Sequence, residues 1–156
     1  MPDHDPNARL ADLGLTLPEA PKPVASYIPA RRTGSLVVVS GQIPMVGGEL
    51  MARGRVPGEV DLETAVRCAR QCLLNGLAVL AAEAGSLDRL ERVVRLGCFV
   101  ACDGSFTEHP KVANGASDLL LEIFGDRGRH ARAAVGCPSL PLGAPVEIEF
   151  LFELRA

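Results

Sequence analysis

Val146-Glu147-Ile148-Glu149-Phe150-Leu151-Phe152-Glu153-Leu154 is the stretch on which the fold turns. Val146, Ile148, Phe150, Phe152 and Leu154 share one side, and Glu147, Glu149, Leu151 and Glu153 share the other. A strict period of two is the signature of a strand with one face in a core and one face wet. The chain is therefore built on a sheet that needs a cover on one side. Two helical patterns can supply it. The first starts at Asp61, an N-cap residue with Glu63 in the following turn, and carries Leu62, Val66, Ala69, Leu73, Leu77 and Leu80 through Ala84. Gly85-Ser86 ends it. The second spans Phe106–Phe124 with Val112, Ala116, Leu119, Leu120 and Ile123 as its stripe, and Gly125-Asp126-Arg127-Gly128 breaks it.

Further strands are expected on either side of these helices. Arg92–Cys102 alternates, with Val94, Leu96, Cys98, Val100 and Cys102 facing one way. Arg132–Cys137 reads as a strand followed by a Pro-rich turn. Toward the N-terminus, Val24–Arg31 and Leu36–Val39 form a hairpin around Thr33-Gly34-Ser35, and Gly41 to Gly58 is a loop. Residues 1–23 form a Pro-rich arm with a short helical turn at Asn7–Leu13, which leaves 24–156 as a single domain. The order β-β-α-β-α-β-β gives an α+β fold: a mixed sheet with two helices packed on one face. Leu36–Val39 is apolar on both sides, and no segment remains to cover the second face. Either other copies of the chain bury that face, or the run is the sheet's centre with a modest exposed patch.

Composition bounds the function. With 156 residues, 47% of them hydrophobic and 22% charged, the chain is one ordinary globular domain rather than a disordered segment. A net charge of −3 gives no electrostatic footprint for nucleic acid, and with aromatics at 4% and no Trp there is no stacking platform for RNA. No apolar run approaches the ~18 residues that a membrane span takes. The start, Met-Pro-Asp-His-Asp-Pro, has no basic region followed by an apolar stretch, so a cytoplasmic location is the expectation. Five cysteines, an odd number, argue for free thiols. Cys68 and Cys72 share a helix face and Cys98 and Cys102 a strand face, which suits either small buried hydrophobes or a thiol zinc site. The histidines, His4, His109 and His130, have no ligand-like spacing. Neither a G-x-S-x-G elbow nor a phosphate loop occurs.

Four places can carry chemistry. Arg132 opens a strand just after a Gly-containing loop, where a guanidinium either presents its fork of donors to a carboxylate or pairs with a nearby acid. Fourteen Arg against two Lys make guanidinium the expected anion ligand here. Glu147 opens the last strand on the face opposite the apolar stripe; it is either a solvated carboxylate or one withdrawn enough from water to shuttle protons. Tyr27 is the chain's single tyrosine. Ser40-Gly41-Gln42 ends an apolar strand, a position where sites tend to be built.

In combination these motifs resemble the RidA/YjgF family, the reactive intermediate deaminases, some of which carry the older label endoribonuclease L-PSP. The resemblance rests on Tyr27, Thr33-Gly34, the run Leu36-Val37-Val38-Val39-Ser40-Gly41-Gln42-Ile43-Pro44, then His130-Ala131-Arg132-Ala133-Ala134-Val135, Leu140-Pro141 and Val146-Glu147-Ile148-Glu149. It covers roughly residues 24–154. It implies a chorismate-mutase-like fold, a homotrimer whose sheets pack into a central barrel, and clefts between subunits. It implies that Arg132 binds the carboxylate of a small 2-imino or 2-enamino acid, that Glu147 handles the attacking water, and that Tyr27, Ser40 and Gly41 line the cleft. A 2-keto acid and ammonia are the products, with no metal or organic cofactor. A non-catalytic sensor of small carboxylates and a ribonuclease are the alternatives. The Asn114-Gly115-Ala116-Ser117-Asp118-Leu119 segment and the longer N-terminal arm resemble a divergent subgroup, and three departures bear on substrate identity. Ala133 and Ala134 stand where small polar or thiol residues are common, so only their backbone N–H groups could serve. His130 replaces a Pro, and either adds a titrating group beside the cleft or caps the loop. The cleft Asn matches Asn114 or, one turn on, Ser117.

Overall fold

In the computed structural model, residues 5–22 and 25–156 are described. The elements are α1 (Pro6–Asp12), β1 (Ala30–Thr33), β2 (Leu36–Gln42), β3 (Met45–Val46), β4 (Glu49–Leu50), α2 (Leu62–Ala84), β5 (Leu90–Ala101), α3 (His109–Phe124), β6 (Ala131–Cys137) and β7 (Val146–Leu154). Five strands form the main sheet in the order β1-β2-β7-β5-β6. Only β5 and β6 run parallel; the other pairs are antiparallel. β3 and β4 form a separate hairpin. The architecture is the expected α+β one, a mixed sheet with helices on one face.

The strand β7 sits at the centre of the sheet because its alternation is uninterrupted: Val146, Ile148, Phe150, Phe152 and Leu154 are all buried, and the residues between them are half-buried. α2 lies over β7 and β2, and α3 over β5 and β6. Asp61 caps α2, its carboxylate accepting from the Thr64 N–H at 2.7 Å, and Gly85 ends it in the left-handed region at φ 87°. The buried stripe of α2 runs through Ala65, Cys68, Ala69, Cys72, Leu73, Leu77 and Leu80. Leu62 and Val66 are only partly buried, so the first turns are rotated from the expected stripe and bring two thiols into the core. Burial pushes the Cys68 thiol up to about 11 and the Cys98 thiol up to about 12, so both stay neutral and behave as small apolar groups.

Several sequence expectations need correction. The first strand begins at Ala30, not near Val24; residues 25–29 form bends, and Val24 lies outside the described residues. The alternation of β5 slips between Val93 and Arg95, where its register with β7 shifts. Val93 is therefore buried and Val94 half-buried, the reverse of the strand's later pattern. α3 starts at His109 instead of Phe106. Asp103 folds the preceding residues into a turn, accepting from the N–H and hydroxyl of Ser105, and Pro110 sits in the first helical turn, where its missing N–H costs nothing. The expected 41–58 loop contains β3 and β4, joined by Gly47 and Gly48 at φ 60° and 87°. Two consecutive positive values are what a tight hairpin turn requires.

The arm's helix α1, capped by Asp5, buries Leu10 and packs on α3. The far face of the sheet has no such cover among the described residues. Val38 is 48% exposed and Val135 46%, with Leu151 and Phe99 half-buried beside them.

Candidate functional site

The bulge in β2 places the first part of the site. Val39 pairs with Phe150 and Gln42 with Ile148, so Ser40 and Gly41 together oppose a single residue, Glu149. The Ser40 hydroxyl donates to the Ile28 carbonyl at 2.8 Å, and its N–H donates to the Pro29 carbonyl at 2.9 Å. These two bonds tie down the segment that carries Tyr27. Tyr27 and Gly41 border a common cavity of about 660 Å³, with Gln42, Asn75 and the arm residues Pro18–Lys22. Asn75, which is buried, holds the loop after β2 in place: its amide donates to the Ile43 and Met45 carbonyls, each at 3.1 Å.

Glu147 lies against Gly41. A methyl group added there would come within 2.0 Å of Glu147 Oε1, so only glycine leaves room for the carboxylate. Glu147 makes no hydrogen bond or ion pair with the described residues. Burial raises its pKa, and the neighbouring Glu149 adds to the shift; Glu149 itself pairs with Arg95 at 2.9 Å. A half-buried carboxylate with a raised pKa and no hydrogen-bond partner among the described residues has the properties that proton transfer asks for.

Arg132 belongs to a second cluster. It pairs in register with Leu96, a buried residue beneath the helices, so its side chain is on the helix-covered face. There it meets α3. Nη1 donates to Asn114 Oδ1 at 2.8 Å and to Ser117 Oγ at 3.0 Å. Asn114 and Ser117, weighed above as alternatives, both reach the guanidinium because residues three apart lie on one helix face.

His130 extends the chain of bonds. Its Nδ1 is 2.6 Å from the Gly128 carbonyl, an acceptor only, so Nδ1 carries a proton. In the neutral ring Nε2 is then an acceptor, and it takes the Ser117 hydroxyl proton at 2.9 Å. The relay reads Arg132 Nη1–H to Ser117 Oγ–H to His130. His130 both caps the loop and orients the serine. Replacing it by Leu should raise KM for an acidic substrate about fivefold, the worth of one net hydrogen bond. His130→Gln, which can accept from Ser117 and donate to Gly128, should restore wild-type kinetics. Steady-state kinetics on the two variants check this.

Both Nη1 protons of Arg132 are committed, while Nε and the two Nη2 protons have no partner among the described residues. A side-on fork of Nε–H and Nη2–H therefore remains for a carboxylate. Ala134 pairs with Cys98 and shares the Arg132 face, whereas Ala133 pairs with Gly97 and lies on the other. The methyl of Ala133 is thus turned away from the guanidinium.

Not all the candidates come together in one chain. Glu147 pairs with Phe99, and Phe99 pairs with Val135 on β6, three residues from Arg132. Two strand spacings, about 10 Å, separate β7 from β6. Glu147 is also on the opposite sheet face from Arg132. Within one chain, Arg132 with Asn114 and Ser117 forms one cluster and Glu147 against Gly41 another; Tyr27 meets Gly41 across the cavity described above, whose lining does not include Glu147. Sequence reading gave no sign of the roles of Asn75 or Gly128, whose signals are a buried amide and a backbone carbonyl.

Comparison with known proteins agrees with this reading of the motifs. Residues 7–154 match the family model described as YjgF/chorismate_mutase-like, putative endoribonuclease. Protein TCP17 of Trypanosoma cruzi is 44% identical over 151 residues, covering 95% of this chain and 93% of that protein. The 2-iminobutanoate/2-iminopropanoate deaminase of Dermatophagoides farinae is 31% identical over 135 residues, covering 86% and 91%. The crystal structure of Atu1372, a protein of unknown function from Agrobacterium tumefaciens, superposes with a TM-score of 0.90 at 41% identity, covering 99% of this chain and 94% of that one. With the sheet order, the Ser40-Gly41 bulge and the Arg132 strand all in place, the chain belongs to the RidA/YjgF family.

Proposed function

We propose that the protein hydrolyses small 2-imino or 2-enamino acids to 2-keto acids and ammonia. The observation that carries this is the state of Arg132: Nη1 is held by Asn114 and Ser117, and Nε and Nη2 are left to grip a carboxylate. An imine carbon is already electrophilic, so fixing the acid end of the substrate and supplying one proton shuttle is enough chemistry. Glu147, whose pKa burial raises, would take a proton from the attacking water and return it to the leaving nitrogen. Tyr27 and the Ser40-Gly41 backbone would line the cleft. Neither step calls on a metal or an organic cofactor. The deaminase relative supports the substrate class.

The two clusters are far apart in one chain, and the sheet's far face exposes Val38 and Val135. Both features support a homotrimer whose clefts lie between subunits, each joining one protomer's Arg132 to another's Glu147. Light scattering at micromolar concentration should give three times the 16.4 kDa chain mass; a stable monomer would refute the assembly. The activity is tested by generating imino acids in situ and following their loss. Acceleration over buffer is expected. Binding of 2-oxobutyrate without acceleration would favour a sensor of small carboxylates, which needs Arg132 but not Glu147. Net charge −3 counts against a ribonuclease and against any nucleic-acid partner. A cytoplasmic setting fits this metabolite chemistry.

A further inference from the structure

Away from Arg132, at the opposite end of β6, the parallel strands β5 and β6 finish side by side; their last pair is Ala101 with Cys137. Those ends border a cavity of about 570 Å³, whose lining includes Arg55, Cys102, Asp103, His109 and Cys137. Cys102 Sγ lies 3.5 Å from His109 Nε2. The Phe106 ring holds the imidazole edge-on, with centroids 5.0 Å apart at 76°. Opposite them is Gly136. A methyl group at 136 would come within 2.6 Å of both Cys102 Sγ and His109 Nε2, so the pairing exists only because that residue has no side chain. A nucleophile, a base in reach, a group orienting the base and an adjoining cavity are the parts of a thiol site.

We infer that Cys102 and His109 form a second reactive site, in which the thiol adds to the activated C=C bond of a small neutral electrophile. In the step, His109 Nε2 takes the Cys102 proton, and the S–C bond forms at the β-carbon. The π pair moves onto the adjoining carbonyl as an enolate. His109 returns the proton to that enolate, so S–H adds across the double bond with nothing oxidised. Neutral electrophiles are specified because Arg55 and Asp103 both line the cavity and offset each other's charge. Burial and the nearby Asp103 push the Cys102 thiol up, so it rests as a thiol, and the base is essential to the reaction. Cys137 lines the same cavity, but among the described residues it has no base in reach, and its thiol donates to the Val100 carbonyl at 3.6 Å. It is the internal control. This inference is independent of Arg132.

The test is alkylation of the intact chain by N-ethylmaleimide at neutral pH, with each site's rate read by peptide mass mapping. Cys102 is expected to react before Cys137, and His109→Gln, which keeps a hydrogen-bond acceptor but cannot carry the proton, is expected to slow Cys102 at least about tenfold without slowing Cys137. Reaction of Cys137 first in the wild type, a measurement that needs no variant, would overturn the inference. So would a Cys102 rate in His109→Gln within about twofold of wild type.

Discussion

Arg132→Ala is expected to weaken acid recognition sharply. The affinity for 2-oxobutyrate, measured by calorimetry, should fall about 10- to 150-fold, the worth of the ~1.5–3 kcal/mol carried by hydrogen bonds to a charged group. Imine hydrolysis should fall with it, since an unanchored substrate loses its orientation as well as its affinity. The fold should be unaffected. Arg132 is solvent-exposed on an edge strand, and its partners Asn114 and Ser117 can turn to water or to each other. Arg132→Lys separates charge from geometry. A lysine keeps the positive charge but has no planar fork and cannot hold Asn114 and Ser117 while also gripping a carboxylate side-on. It should recover only a small part of the loss. Wild-type affinity in either variant would remove Arg132 from the site.

Glu147→Gln should separate activity from stability. Loss of the proton shuttle should cost about 10²–10⁴-fold in kcat, with the affinity for a keto acid unchanged. The same change should raise Tm. Burial, and then Glu149, raise the Glu147 pKa in the folded protein above its ordinary carboxylate value. Between those two values the folded state binds more protons than the unfolded, so stability falls as pH rises through that window. Above it the wild type carries a constant penalty for a desolvated charge, which Gln lacks. The Tm advantage of Glu147→Gln should therefore be full near neutral pH and vanish in acid, where wild-type Glu147 is itself neutral. Thermal melts of both proteins from pH 4 to 8, a range spanning the ordinary carboxylate value, give the check. A variant less stable than wild type at pH 7 would mean that the carboxylate has a favourable partner and is not a free shuttle.

Much of the fold was written in local patterns. The β7 alternation survives intact because every second residue is deeply buried, and Asp61 and Gly85 bound α2 as their chemistry requires. The β5 slip was illegible because Val93 and Val94 are the same residue, and nothing in their identity says which one faces the core. The β3–β4 hairpin had a signal in Gly47-Gly48, two residues that tolerate positive φ, but its strands are only two residues each and too short to show a period. Position in the fold explains the rest. Asn114 and Ser117 share a helix face, so their common contact with Arg132 follows from spacing once β6 is known to run under α3. The Cys102–His109 pair depends on the path of an irregular loop and on the bare Gly136, and neither leaves a periodic trace. The separation of Arg132 from Glu147 was hidden for another reason. Parity along one strand says nothing about which face it shares with a strand two places away, and that requires the register.

The most direct measurement is a crystal structure of the assembled protein soaked with 2-oxobutyrate. The keto acid's carboxylate should bridge Nε and Nη2 of Arg132, with Nη1 still on Asn114 and Ser117 and with Glu147 of an adjoining copy facing the C2 carbon. A keto acid bound elsewhere, or an Arg132 fork that stays in bulk solvent away from every other copy, would contradict the account.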